Sequence, residues 1–277
     1  MSGAKVLSLS QLKAKKYTFL EHVTDDIARS FGKLTTSFTM IVYGYSGNGK
    51  SNLLIALLKV LTQNGKCLYV SLEEGHGYSM QLLVTRHLSD EHNGKVVFAD
   101  HSMTYDLLWK RLARQRSEQF IFIDSVQYWD ITIKQYKALK EKFHKKTFIF
   151  ISHAKGKLPD GMLANKIEYD ATIKIRVDGF VGLMKSRLGG NEPYIIWEEG
   201  ARRRWGDKAF EKLTGLKRPK KTKVKNEKEH KSDEKNTTDH TRNNGGDRDT
   251  LQFGGDATLD RLPTDTAELS ADRVDKE

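Results

Sequence analysis

With one cysteine, Cys67, the chain can close no internal disulfide and build no thiolate metal cluster, which suits a reducing compartment. It also lacks any apolar run near the roughly 18 to 20 residues that span a bilayer. Near the N-terminus, Lys13, Lys15 and Lys16 lead into a mixed polar stretch instead of an apolar core, so no secretory signal is expected. No internal repeat is visible. These absences point to a cytoplasmic protein with no membrane contact.

Charge is abundant and unevenly placed. The 277 residues carry 47 Lys and Arg against 36 Asp and Glu, a net charge of +11. Residues 217–277 hold 14 of each sign, so the whole excess belongs to residues 1–216. A basic core of this kind suits a polyanionic partner or serves solubility alone. The composition changes after Leu216: a Lys-rich run to Lys235 gives way to Asp, Thr, Asn and Gly with few large apolar side chains. Such a segment cannot bury enough surface to offset its ordering entropy, and 217–277 reads as a disordered, charged tail.

Before the tail, short β-rich runs alternate with helical patterns. Strands are expected at Phe38–Tyr43, Cys67–Leu72, Val96–Ala99, Phe120–Asp124 and Thr147–Ser152, several of them continuously apolar, as when both sheet faces are covered. Helices are expected at Lys50–Gln63, Tyr78–Ser89, Tyr105–Arg116 and Lys134–Phe143. The alternation predicts an α/β domain with a mostly parallel sheet. Closer strands at Ile173–Val177, Phe180–Lys185 and Tyr194–Trp197 predict an antiparallel extension of that sheet.

Gly44-Tyr45-Ser46-Gly47-Asn48-Gly49-Lys50-Ser51 matches G-x-x-x-x-G-K-[ST] between a predicted strand and a predicted helix. Its glycines let backbone N–H groups curl around phosphates at a helix N-terminus. Lys50 is placed to reach the β- and γ-phosphates and the Ser51 hydroxyl to hold Mg²⁺, with Asn52 following in the helix. Asp124 ends the apolar run Phe120–Ile123 and delivers a carboxylate to the sheet edge where ligands of open α/β sheets bind, so it is the second candidate for the Mg²⁺ shell. Glu73 and Glu74 close the second strand, where a carboxylate could accept a proton from water attacking the γ-phosphorus.

At Ser71-Leu72-Glu73-Glu74 the sequence begins to resemble the RecA-like superfamily of P-loop ATPases, particularly the cores of DnaB-type replicative helicases and RadA-type recombination proteins. The resemblance covers residues 36–200 and is also similar, more loosely, to RecA-like ATPases of phages and mobile elements. Residue by residue it implies Glu73 as the base, with Glu74 as the alternative. Asp124-Ser125-Val126-Gln127 resembles the D-S-I-Q that follows the Walker B strand of RadA proteins. His153, ending the fifth strand, matches the γ-phosphate sensor position. Lys185-Ser186-Arg187-Leu188-Gly189 resembles K-x-R-x-G, whose Lys and Arg reach a neighbouring subunit's ATP, so the resemblance implies a homo-oligomeric ring or filament. It divides the chain into an N-terminal extension (1–35), an ATPase domain (36–216) and the tail.

The RadA-type zinc module and protease-like domain and the DnaB-type helical N-terminal domain are not expected here. The resemblance further implies two nucleic-acid loops, Gln127–Lys134 and Ala154–Lys166, the second bearing Lys155, Lys157 and Lys166. Tyr128 and Trp129 in the first could stack on bases or pack on the core. The expectation is a DNA-dependent ATPase of replication, recombination or repair that uses ATP and Mg²⁺ and binds single-stranded DNA without sequence preference. Alternatives are a nucleotide-switched assembly or loading factor, and a small-molecule kinase with Arg202, Arg203 and Arg204 as a phosphate clamp. Asn165-Lys166-Ile167-Glu168 resembles the guanine-reading N-K-x-D only in part, so GTP is not expected.

Overall fold

Runs in which every residue is apolar become strands buried on both faces. The computed structural model describes residues 6–218. Its first five strands are β1 (Thr39–Gly44), β2 (Cys67–Ser71), β3 (Val96–Ala99), β4 (Phe120–Asp124) and β5 (Thr147–Ser152), each within a residue of its sequence expectation at either end. A short hairpin, β6 (Ala154–Lys155) with β7 (Leu158–Pro159), follows, and then β8 (Ile173–Asp178), β9 (Val181–Ser186) and β10 (Tyr194–Ile195). The main sheet has eight strands in the order β10-β9-β8-β1-β5-β4-β2-β3.

Every pair from β8 to β3 in that order is parallel. The expected antiparallel extension therefore starts one strand later than the sequence suggested: β8 lies parallel to β1, and only β9 and β10 run antiparallel. Closely spaced strands fix the hairpin between β8 and β9, but they do not say which edge β8 joins.

The helices are α1 (Leu9–Lys13), α2 (Asp25–Phe31), α3 (Lys50–Thr62), α4 (Tyr78–His87), α5 (Tyr105–Leu112), α6 (Ile133–Lys142), α7 (Met162–Asp170), α8 (Glu198–Trp205) and α9 (Asp207–Thr214). Strand residues alternate between two cores because side chains of a strand point to opposite faces. Met40, Val42, Tyr69, Phe122 and Ile149 pack with α2, α3 and α4 on one face. Ile41, Val70, Ile123, Phe148 and Phe150 pack with α5, α6 and α7 on the other. The sheet is thus the middle of three layers.

Several boundaries move for identifiable reasons. α5 stops at Leu112, short of the expected Arg116, which has a φ of 56° that no helix continues through. α6 opens on Thr132, whose hydroxyl accepts from the Gln135 N–H while the Gln135 side chain accepts from the Thr132 N–H. α7 replaces the second half of the expected loop Ala154–Lys166; only Ala164 and Ile167 are buried on it, too sparse an apolar stripe to read as a helix. Ile27 and Phe31 of α2, with Leu34, are buried in the same core as α3, so part of the expected extension 1–35 packs with the domain. The expected disordered tail falls, from residue 219, outside the described residues.

Candidate functional site

The phosphate-loop motif joins β1 to α3, as its spacing requires. Gly44 has no room for a side chain, since a Cβ there would lie 2.3 Å from the Val177 carbonyl oxygen. Gly49, the residue before α3, has a φ of 94°, a left-handed conformation that favours glycine. Lys50 Nζ donates to the carbonyls of Gly44 (2.9 Å) and Tyr45 (3.1 Å), curling back over the loop. Burial lowers its pKa, opposed by the nearby carboxylates of Asp124 and Glu73.

Parallel pairing brings the other candidates beside this loop. Ser71 lies opposite Asp124, and Tyr43 opposite Ser152, so the ends of β1, β5, β4 and β2 form one edge. A cleft of about 270 Å³ at that edge is lined by Ser46, Gly47, Gly49, Lys50, Ser51 and Asn52, by Glu73 and Glu74 after β2, Asp124 of β4, His153 after β5, and Phe180. His153 Nε2 stands 3.2 Å from Glu73 Oε2. Glu74 is held differently, its Oε2 accepting from the Ser79 hydroxyl at 2.7 Å.

Asp124 is the most perturbed acid of the cleft. Burial raises its pKa to about 6, while the Tyr69 hydroxyl, donating to Oδ2 at 2.5 Å, and the Lys50 charge oppose the rise. Burial and the same carboxylate push the Tyr69 phenol up in turn, so it stays a donor. Three carboxylates face a single lysine here, a balance that suits a divalent cation. The Ser51 and Asp124 oxygens are the hard donors Mg²⁺ prefers, and they fit such an ion.

The remaining candidates have other surroundings. Asn48 braces the loop: its Oδ1 accepts from the Gly179 N–H (2.9 Å) and its Nδ2 donates to the Tyr45 carbonyl (3.3 Å). The Tyr45 hydroxyl accepts from the Gly156 N–H of the β6–β7 hairpin at 2.9 Å. Lys155 and Lys157 are exposed on that hairpin. Lys166 lies on α7, not on a loop, and pairs with Asp170 at 3.0 Å. Tyr128 is 56% exposed, whereas Trp129 is buried and stacks on Phe150.

Lys185 and Arg187 are set apart from the cleft. β9 runs back away from the loop, so Ser186 lies opposite Ile173, which pairs with Met40, four residues before Gly44. At a rise of about 3.3 Å per residue this places them about 13 Å down the sheet from the phosphate loop. They line a different pocket with Thr172, Lys174 and Asn191. Arg202 is nearly buried among Glu198, Asp207 and Glu211, and Arg203 pairs with Glu199 at the surface; neither is among the residues lining the cleft. Asn165 donates to the carbonyls of Pro159 and Gly161 within the chain and is not among the residues lining the cleft.

One contributor escapes the sequence reading, and a second, Gln127, enters it only as part of the Asp124–Gln127 motif and of a nucleic-acid loop. Phe180, with φ 62°, enters the cleft from the β8–β9 turn, packed edge-on against Trp197. Asp178-Gly179 between two apolar runs is the hairpin signal that could have flagged it. Gln127 donates to Ser152 Oγ (2.8 Å) and the Asp160 carbonyl (2.7 Å) and accepts from the His153 N–H (3.2 Å), tying the β4 exit to the β5 exit.

β5 lies between the phosphate-loop strand β1 and the Asp124 strand β4, in the mostly parallel α/β sheet that the alternation of strands and helices predicted. No family model and no curated protein matches the sequence. Among solved structures the chain is similar to the flagellar accessory protein FlaH of Methanocaldococcus jannaschii, with 18% identity over 63% of this chain and 91% of that one, at a TM-score of 0.48. It is also similar to an ATPase from the type III secretion system of pathogenic bacteria, with 13% identity over 64% of each chain, at a TM-score of 0.43. Among the described residues, no helix is long and apolar enough to cross a membrane.

Proposed function

We propose that this chain binds ATP with Mg²⁺ and hydrolyses it to ADP and phosphate. The observation that carries the reading is the contact of Glu73 with His153 in the same cleft as the phosphate loop and Asp124. The backbone N–H groups of the loop and the N-terminus of α3 bind the phosphates, and Lys50 leaves its carbonyl partners to neutralise the β- and γ-phosphate oxygens. Ser51 and Asp124 would hold Mg²⁺, which when bound offsets the charge of the phosphates. Glu73 accepts the proton of the attacking water, and His153, touching both Glu73 and the γ-phosphate region, orients it. The nucleoside leaves the cleft past Asn52, which also lines a pocket with Ile196 and Trp197.

The function supported best is a DNA-dependent ATPase of replication, recombination or repair, working in the cytoplasm. Support comes from the basic core of residues 1–216 and from Lys155 and Lys157 on a hairpin hydrogen-bonded to the phosphate loop. Phosphate contacts by such lysines position single strands without reading sequence. Lys185 and Arg187 lie too far down their own sheet for their own cleft, which favours a homo-oligomeric ring or filament in which a second copy supplies them. Because no arginine is among the residues lining the cleft, a lone chain hydrolyses slowly, the behaviour of a nucleotide-switched loading factor. ATP turnover, measured with and without single-stranded DNA alongside the mass in ATP, tests both. DNA-stimulated turnover in an oligomer supports the ATPase; a monomer that DNA leaves unstimulated sinks it.

A further inference from the structure

The geometry assigns Tyr69 as the residue that positions Asp124 for the metal side of the site, an inference that rests on the ATP reading above. Tyr69 lies opposite Phe122 across the β2–β4 ladder, and Ser71 lies opposite Asp124. Residues two apart on a strand share a face, so Tyr69 and Asp124 are diagonal neighbours on the α3 side of the sheet. Such neighbours are about 7 to 8 Å apart between backbones, within reach of a long aromatic side chain. The ring is fully buried, stacked on Phe122 at 5.5 Å and tilted against Phe98 at 5.7 Å. With the ring fixed, its hydroxyl arrives at Asp124 Oδ2 from one direction only.

The consequence is a division of labour between the two carboxylate oxygens. Oδ2 is engaged by the phenol, and Oδ1 is left for the cleft that Asp124 lines. Without the phenol the carboxylate loses the contact that fixes its orientation. Partners that orient a metal-binding group typically alter metal affinity by about 10- to 100-fold when removed.

Tyr136 is also fully buried, but it lies on the opposite face of the sheet and is not among the residues lining the cleft, so it serves as the control for removing a buried phenol.

Tyr69→Phe keeps the ring and removes only the hydroxyl. ATP binding to the full chain is to be followed by calorimetry, first in EDTA and then as Mg²⁺ is added. The expected result is unchanged ATP affinity in EDTA and about 10-fold more Mg²⁺ for half-saturation. Tyr136→Phe should match the wild type in both, and Tyr69→Phe should add nothing in an Asp124→Asn background. A wild-type Mg²⁺ requirement in Tyr69→Phe, or an equal shift in Tyr136→Phe, overturns the assignment while leaving the ATP reading intact. Wild-type protein whose ATP binding ignores Mg²⁺ overturns both.

Discussion

The upper edge of the sheet, around the ends of β1, β2, β4 and β5, gathers a lysine, three carboxylates and a histidine into one cleft. The far end of β9 carries Lys185 and Arg187 beside Lys174, which pairs with Glu168 at 3.3 Å. One region gathers the groups that the proposed triphosphate site needs; the other holds cations about 13 Å down the sheet from the phosphate loop. In the proposed ring or filament the acidic cleft of one copy would face the basic strand end of the next, and the difference between the two regions is what that assembly would use.

The largest effect should come from removing the cation of the acidic region. Lys50→Ala leaves Glu73, Glu74 and Asp124 facing the phosphates, and ATP binding should fall below detection by calorimetry. Retained micromolar binding would break the comparison at its root. Next is the basic region: Arg187→Ala should leave ATP binding within about twofold and slow turnover by about 10³, the lower end of what a trans arginine supplies. Mixing that variant with Glu73→Gln separates trans from cis, because a mixed assembly contains interfaces with both an intact base and an intact arginine. Recovered activity places Arg187 across an interface; none places it within its own chain.

A smaller loss, about 10²-fold or more in turnover with ATP binding kept, is expected for Glu73→Gln. Glu74→Gln should cost only a fewfold, since Ser79 already engages that carboxylate. The reverse ranking would move the base to Glu74. The sequence left these two open, and for a physical reason: adjacent residues at a strand exit point in different directions, and only the fold shows that, of two carboxylates lining the cleft, Glu73 meets His153 and Glu74 meets Ser79.

That ambiguity illustrates what was legible. Continuous apolar runs marked β1, β2, β4 and β5 because a strand covered on both faces has no polar alternation. The phosphate loop was legible because its glycines and lysine act locally. Features made by long-range packing were not. Asp178-Gly179 signals a turn at Phe180, but no local pattern tells that this turn meets Asn48, about 130 positions away, or that Gln127 meets Ser152, 25 positions on. α8 was hidden by Arg202, a buried cation whose partners Asp207 and Glu211 lie beyond its own helix. The Asp124–Tyr69 bond was hidden too, since it depends on the β2–β4 register.

The smallest effect concerns how the two edges communicate. Tyr45 belongs to the phosphate loop, yet its hydroxyl holds the Gly156 N–H at the turn between Lys155 and Lys157. Its carbonyl accepts from Lys50 Nζ, a bond that must open when Lys50 turns to the phosphates. Under the proposed mechanism, nucleotide binding would pull on the residue that anchors the lysine hairpin. A single neutral hydrogen bond contributes about 0.5 to 1.5 kcal/mol, which translates to roughly 2- to 12-fold. Tyr45→Phe should leave ATP binding and DNA-free turnover near wild type and reduce stimulation by single-stranded DNA by a fewfold. The check is the ratio of turnover with and without DNA at fixed salt, because the lysine contacts weaken as salt rises. An unchanged ratio would mean that the hairpin moves independently of the loop.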